Sequence, residues 1–304
     1  MGQHNACMSG KERAGIAAGI ASSALGGIAA AVTRFAVEAM DPVVVSIFRF
    51  GVGGLLLMAL ALLQGVRWPR GRDLVTTAAL GALFYGMFFV AYAEALTYTT
   101  AARGSLGVST LPLLTMVVAA TLGRESLTVR KCAGVSLAFG GVSLALAADL
   151  GTAPPDAWRG DLIMIAAMFS MSLYTIYSRP LMARSSALGY ACAGMTAGAV
   201  LNVAVACMGG VDTAFVGMEP KYWLAGLFLG VFPGALGFFL WVYAIERTTP
   251  TRVANTITVS PLAAGVVAVV LVGEPFGAGL ALGIMAVAAG IWIASTAPAG
   301  ERRP

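Results

Sequence analysis

The chain has 304 residues, of which 59% are hydrophobic and 11% charged, with a formal net charge of +5, whereas an ordinary soluble domain carries about 25% charged residues. So few charges cannot build a water-soluble surface, which excludes a soluble globular enzyme, and the positive balance does not imply nucleic acid. The long Ala, Gly and Leu runs also exclude the short alternating strands of a membrane barrel.

A helix that crosses the roughly 30 Å apolar core of a bilayer needs about 20 mostly apolar residues. Ten segments meet that length, approximately 13–35, 42–64, 73–97, 100–121, 128–148, 159–182, 187–209, 221–246, 251–271 and 277–295. The expectation is therefore an all-alpha integral membrane protein with ten transmembrane helices. No signal-peptide cleavage pattern precedes the first apolar run, so it is expected to be kept as the first span. The glycines, 38 in all, suit close helix packing in lipid.

In chain order, the second span opens with Asp41-Pro42 and carries Arg49 well inside the apolar run. An ionisable side chain at that depth faces the protein interior or snorkels to an interface, so Arg49 is a gating or coupling candidate. The third span holds Tyr85, Phe88 and Tyr92, spaced by three and four so that they share a face, and then Glu94. Two phenols on an apolar face need partners or water, which makes these three either substrate-binding residues or core packing. Glu94 is a carboxylate that could carry a proton, or a solvent-facing charge at a helix end. Tyr174 and Tyr177 repeat the theme in the sixth span, and Trp241 lies in the eighth. Asn255, near the start of the ninth, can both donate and accept. These residues are candidates for a cavity lining, with helix packing as the alternative.

Residues 102–126, ARGSLGVSTLPLLTMVVAATLGRES, share a plan with residues 251–275, TRVANTITVSPLAAGVVAVVLVGEP. A shift of 149 positions superposes Arg103 on Arg252, Pro112 on Pro261 and Glu125 on Glu274, and places Tyr92 on Trp241. Eight of the 25 aligned positions are identical, more than composition alone supplies, so the chain reads as a duplication with units at 13–148 and 159–295. Five spans per unit would invert the second copy in the membrane, an arrangement used for alternating access. Pro112 and Pro261 are expected within helices, where a missing amide bond bends the chain, as a hinge or as static shape.

With the amino terminus inside, 14 lysines and arginines fall on the inner side and four on the outer, which favours both termini in the cytoplasm. The cysteines (Cys7, Cys132, Cys192 and Cys207) have no ligand spacing, and the single histidine, His4, lies in the amino-terminal tail. No metal or other cofactor is expected, and any proton coupling would use carboxylates.

The two Pro-to-Glu segments and Asp41-Pro42 followed by Arg49 resemble the EamA-type members of the drug/metabolite transporter superfamily, over nearly the whole chain. The resemblance implies two EamA repeats in a bacterial inner-membrane protein. It also implies a secondary carrier that exports small organic metabolites, often with proton coupling, and the aromatic interior is similar to that of aromatic amino acid exporters. Expected partners are a small-molecule substrate and membrane lipid, without nucleic acid, and the working unit is expected to be a monomer. A facilitative uniporter or channel is the alternative. Enzyme activity is not expected: GxSxG and HExxH are absent, and so is the GxxxxGK[ST] of an ATP-driven pump.

Overall fold

A computed structural model of the chain describes residues 10–108, 110–123, scattered positions between 129 and 141, 154–210, 218–247, 256–257, 259–271 and 278–295. Helix α1 is Gly10–Ala36. Helix α2 runs over Pro42–Leu63 and contains a π-helical turn at Phe48–Val52. Helix α3, Arg72–Tyr98, contains a second such turn at Ala82–Phe88. The short helices α4, Ala101–Val108, and α5, Leu111–Thr121, follow. Helix α6 is Ala157–Arg184 and α7 is Ala187–Val205. Helix α8 begins at Pro220–Leu229, passes through a π-helical stretch at Gly230–Gly237, and ends with Phe238–Arg247. Helices α9, Val259–Leu271, and α10, Ala278–Ser295, complete the described elements.

Local chemistry sets several of these boundaries. Asp41 caps α2 by accepting from the Val43 amide at 2.8 Å, and Pro42 occupies the first turn, where no amide donor is needed. Ser186 caps α7 by accepting from the Gly189 amide at 3.0 Å, while its own hydroxyl and amide donate to the Arg67 carbonyl at 3.0 and 2.9 Å. That contact ties the α2–α3 connection to the start of α7.

Six described helices are long and apolar enough to cross a membrane: Gly10–Ala36, Pro42–Leu63, Arg72–Tyr98, Ala157–Met182, Ala187–Met208 and Pro220–Ala244. This corrects the expected ten transmembrane helices in two inverted five-helix repeats. The expected fourth span is interrupted between Val108 and Leu111, leaving pieces of 8 and 11 residues that rise about 12 and 16 Å. Helices α9 and α10 are described over 13 and 18 residues and are not among these six. The expected fifth span, 128–148, lies mostly outside the described residues.

The prolines account for part of the difference. Pro112 is the second residue of α5 and Pro261 the third of α9, so both open helices instead of bending them midway. A proline is tolerated in the first turn, but it cannot continue a hydrogen-bond ladder arriving from the preceding helix. Thr110 fills the break, its hydroxyl donating to the Gly107 carbonyl at 2.7 Å.

Two seams hold the long helices together. A side chain added at Gly53 on α2 would meet the backbone of Gly234 on α8 at 2.9 Å, and one at Gly81 on α3 would overlap the backbone of Gly194 on α7. At both seams the main chains touch, a close approach that only glycine permits. Elsewhere the polarity is inverted relative to a soluble protein. Leu63, Val75, Met208 and Val270 are 86, 69, 87 and 84% exposed, while Arg49, Thr77, Ser172 and Asn202 are buried. Lipid is the solvent that this surface suits.

Gly81→Val should lower stability by about 1–3 kcal/mol through overpacking, whereas Gly26→Val, with open space around it, should be nearly neutral. Thermal unfolding of both variants in detergent tests this, and equal melting temperatures would contradict the seam.

Candidate functional site

The π-helical turns of α2 and α3 and the one that opens the last part of α8 lie where buried aromatic rings converge. From α2, Phe50 meets Tyr85 at 5.2 Å, Phe89 at 4.5 Å and Phe238 at 6.1 Å between ring centroids. Phe84 stacks on Tyr174 of α6 at 4.1 Å and on Phe88 at 5.1 Å. Tyr92 follows Phe88 and Phe89 at 6.4 and 6.0 Å. Successive residues of an ideal helix diverge by about 100°, so Phe84 and Tyr85 would not share a face there. The wider π turn lets both rings enter the same cluster.

Polar atoms enter this apolar box at a few places. The Tyr174 hydroxyl donates to that of Tyr85 at 3.4 Å. The Tyr190 hydroxyl donates to the Ser178 hydroxyl at 2.5 Å, and Ser178 in turn donates to the Tyr174 carbonyl at 2.6 Å. Asn202 on α7 is buried and donates to the Tyr85 carbonyl at 3.4 Å. Arg49, 7% exposed, lies over Phe89 at 4.6 Å and Phe50 at 5.7 Å. The cluster thus combines closely packed rings with phenolic hydroxyls, an amide and one guanidinium, groups whose chemistry matches an amphipathic small molecule.

Of the residues expected from sequence, Tyr85, Phe88, Tyr92 and Tyr174 come together here, with Trp241 packed against the same core. Tyr177 lies apart from this core and is 41% exposed. Glu94 lies two residues beyond Tyr92 and is half-buried, and Asn255 falls outside the described residues. Sequence reasoning passed over Phe50, Phe84 and Phe238 because aromatic residues in apolar runs look like ordinary packing.

A second polar feature links α4 with α6. Arg103 and Asp161 form an ion pair at 2.6 Å with side-chain exposures of 4 and 14%, and Thr99 donates to the same carboxylate at 3.2 Å. Asp161 was also missed, although an acid just inside an apolar run was a usable signal. Among the described residues, no group of three or more His, Cys, Asp or Glu side chains could hold a metal.

The sequence model of the EamA-like transporter family matches residues 13–147 and again residues 158–296. The chain belongs to the EamA-like transporter family. It is a membrane-embedded transporter of small organic molecules, not an enzyme. The chain is 31% identical over 271 residues to the "Probable terminal-alkyne amino-acid exporter" of Streptantibioticus cattleyicolor, covering 84% of this chain and 87% of that protein. It is 27% identical over 263 residues to the "Uncharacterized inner membrane transporter YedA" of Escherichia coli K12, covering 84% and 83%. A protein solved by crystallography shares the fold of this EamA-like chain, with a TM-score of 0.69 at 24% identity over 93% of this chain and 96% of that one.

Breaking a buried ion pair from one side costs about 3–5 kcal/mol, while replacing both partners with apolar residues is often neutral. Asp161→Leu should therefore destabilise the transporter by that amount, and adding Arg103→Met should restore most of the loss. A double-mutant cycle from thermal unfolding checks the coupling, and additive losses would contradict it.

Proposed function

We propose that this EamA-like transporter exports small organic metabolites, amino acids with apolar or aromatic side chains among them, by alternating access. The observation that supports this reading best is the composition of the buried box. Its walls are drawn from both halves of the chain, Phe50, Phe84 and Tyr85 from one and Tyr174 and Phe238 from the other. An aromatic wall binds an apolar side chain, and the hydroxyls of Tyr85 and Tyr174 and the amide of Asn202 offer donors and acceptors to a polar head. The likeness to a relative named as an amino-acid exporter points in the same direction.

In this reading the two stretches, 13–148 and 159–295, are copies of one unit, and relative movement between them opens the box first to one side and then to the other. The transporter works as a monomer in the bacterial inner membrane with both termini in the cytoplasm. The excess of lysine and arginine on one side and the likeness to a relative named as an inner membrane transporter support that placement. Arg49 stands at the binding level, while Glu94, Pro112 and Pro261 are gate or coupling positions. A proton, where one is exchanged, travels on Glu94.

Saturable counterflow of labelled leucine or phenylalanine in liposomes containing the purified protein is the expected result. One ring contact contributes up to about 1.5 kcal/mol, so Tyr92→Leu and Trp241→Leu should each raise the half-saturating concentration by up to about tenfold. An imposed pH gradient should accelerate flux, and Glu94→Gln should remove that acceleration. Flux that neither saturates nor exchanges would indicate a pore, and folded protein that moves no amino acid would overturn the amino-acid assignment.

A further inference from the structure

Among the described residues, the aromatic box holds one guanidinium with no carboxylate beside it. Arg103, Arg34, Arg159, Arg184 and Lys221 each face a carboxylate, at 2.6, 3.9, 3.4, 2.9 and 3.0 Å respectively. Arg49 does not: among the described residues no carboxylate lies within ion-pair distance of its guanidinium, and its Nε has no hydrogen-bond partner. It is 7% exposed and lies two turns inside the span, in the π-helical turn of α2.

An unpaired guanidinium at this depth is costly to keep. Phe89 and Phe50, with ring centroids 4.6 and 5.7 Å from its carbon, offset part of that cost through their π faces. Rings can stabilise the charge but cannot accept its N–H bonds in the plane of the guanidinium. A planar fork of donors with its charge unneutralised is matched by a planar anion that accepts two parallel bonds, which is a carboxylate. Tyr92, 6.0 Å from Phe89 between ring centroids, brings a phenolic hydroxyl to the same end of the box. Phe84, Phe88, Tyr174 and Phe238 provide the apolar remainder.

We propose that Arg49 receives the carboxylate of the transported molecule, so that the substrate class is small carboxylates with an apolar or aromatic body. This rests on the reading of the box as the transport site. It goes beyond that reading by naming the recognised group and the residue that recognises it, and it makes Arg49 a specificity determinant instead of a gate.

The test compares leucine and phenylalanine with leucinamide and phenylalaninamide, which keep the side chain and the amine but lose the carboxylate. In detergent, the two acids should raise the melting temperature of the wild-type transporter and the amides should not. Arg49→Met should abolish the rise, and Arg49→Lys, which keeps the charge but loses the fork, should retain a fraction of it. Without ligand, Arg49→Met should melt at or above the wild-type temperature, because an unneutralised buried charge has been removed.

In liposomes, at concentrations where the unlabelled acids halve counterflow, the amides should leave at least about nine-tenths of it, a tenfold difference in affinity corresponding to one charge-assisted contact. Amides that protect or compete as well as acids would overturn the proposal while leaving the transport reading intact. So would a rise that survives in Arg49→Met, a collapse of unliganded Arg49→Met, or no rise with either acid. Acids that protect the wild type in an Arg49-dependent way, with no accompanying flux, would uphold the site and overturn the transport reading.

Discussion

The contact between main chains at glycine determines how the rest of this molecule is arranged. In lipid, helices gain nothing from hiding leucine, since the surroundings are equally apolar, so association depends on close packing and polar contacts. Gly53 against Gly234 and Gly81 against Gly194 provide that approach. They join α2 to α8 and α3 to α7, so each seam connects the first half of the chain to the second. A larger residue at either position would separate the helices and also the aromatic rings nearby.

The π-helical turns are placed where that closeness matters. Gly53 follows directly on the Phe48–Val52 turn, Gly81 directly precedes Ala82–Phe88, and Gly234 lies within Gly230–Gly237. A widened turn leaves backbone bonds less regular, and each of these turns sets one face against protein, at Arg49 and Phe50, at Phe84 to Gly86, and at Pro233 to Ala235. In return it changes which side chains face inward, and Phe84, Tyr85, Phe88 and Phe89 all reach the same cluster. Seam and ring cluster are therefore linked: glycine brings the helices together, and the wide turn lets more rings use that proximity.

Sequence reading succeeded where a feature depended on neighbours along the chain. The membrane class follows from charge content alone, and the face of Tyr85, Phe88 and Tyr92 follows from spacing by three and four. Arg49 stood out because a charge within an apolar run needs a reason. The reading failed where the answer depended on local breaks or on partners distant in sequence. A run such as 100–121 looks like one span when only hydropathy is counted, yet it holds two helices because Pro112 begins a new one. Phe84 joined the site through a π turn that no spacing rule anticipates, and Asp161 became notable only when Arg103, 58 residues earlier, was found beside it.

The box also has a thermodynamic consequence. Phe84 stacks on Tyr174 and Phe50 meets Phe238, so its walls exist as a unit only while the two halves are in register. A bound molecule that touches both walls stabilises that register, because a ligand shifts an equilibrium by its differential affinity for the two states. The Arg103–Asp161 pair adds a second tie between the halves, between α4 and α6. Any movement that opened the box by parting these helices would have to break the ion pair or carry both of its partners together. The ring cluster tolerates small displacements, since dispersion contacts fade gradually, whereas an ion pair held at 2.6 Å does not slide. The pair thus constrains how α4 can move relative to α6.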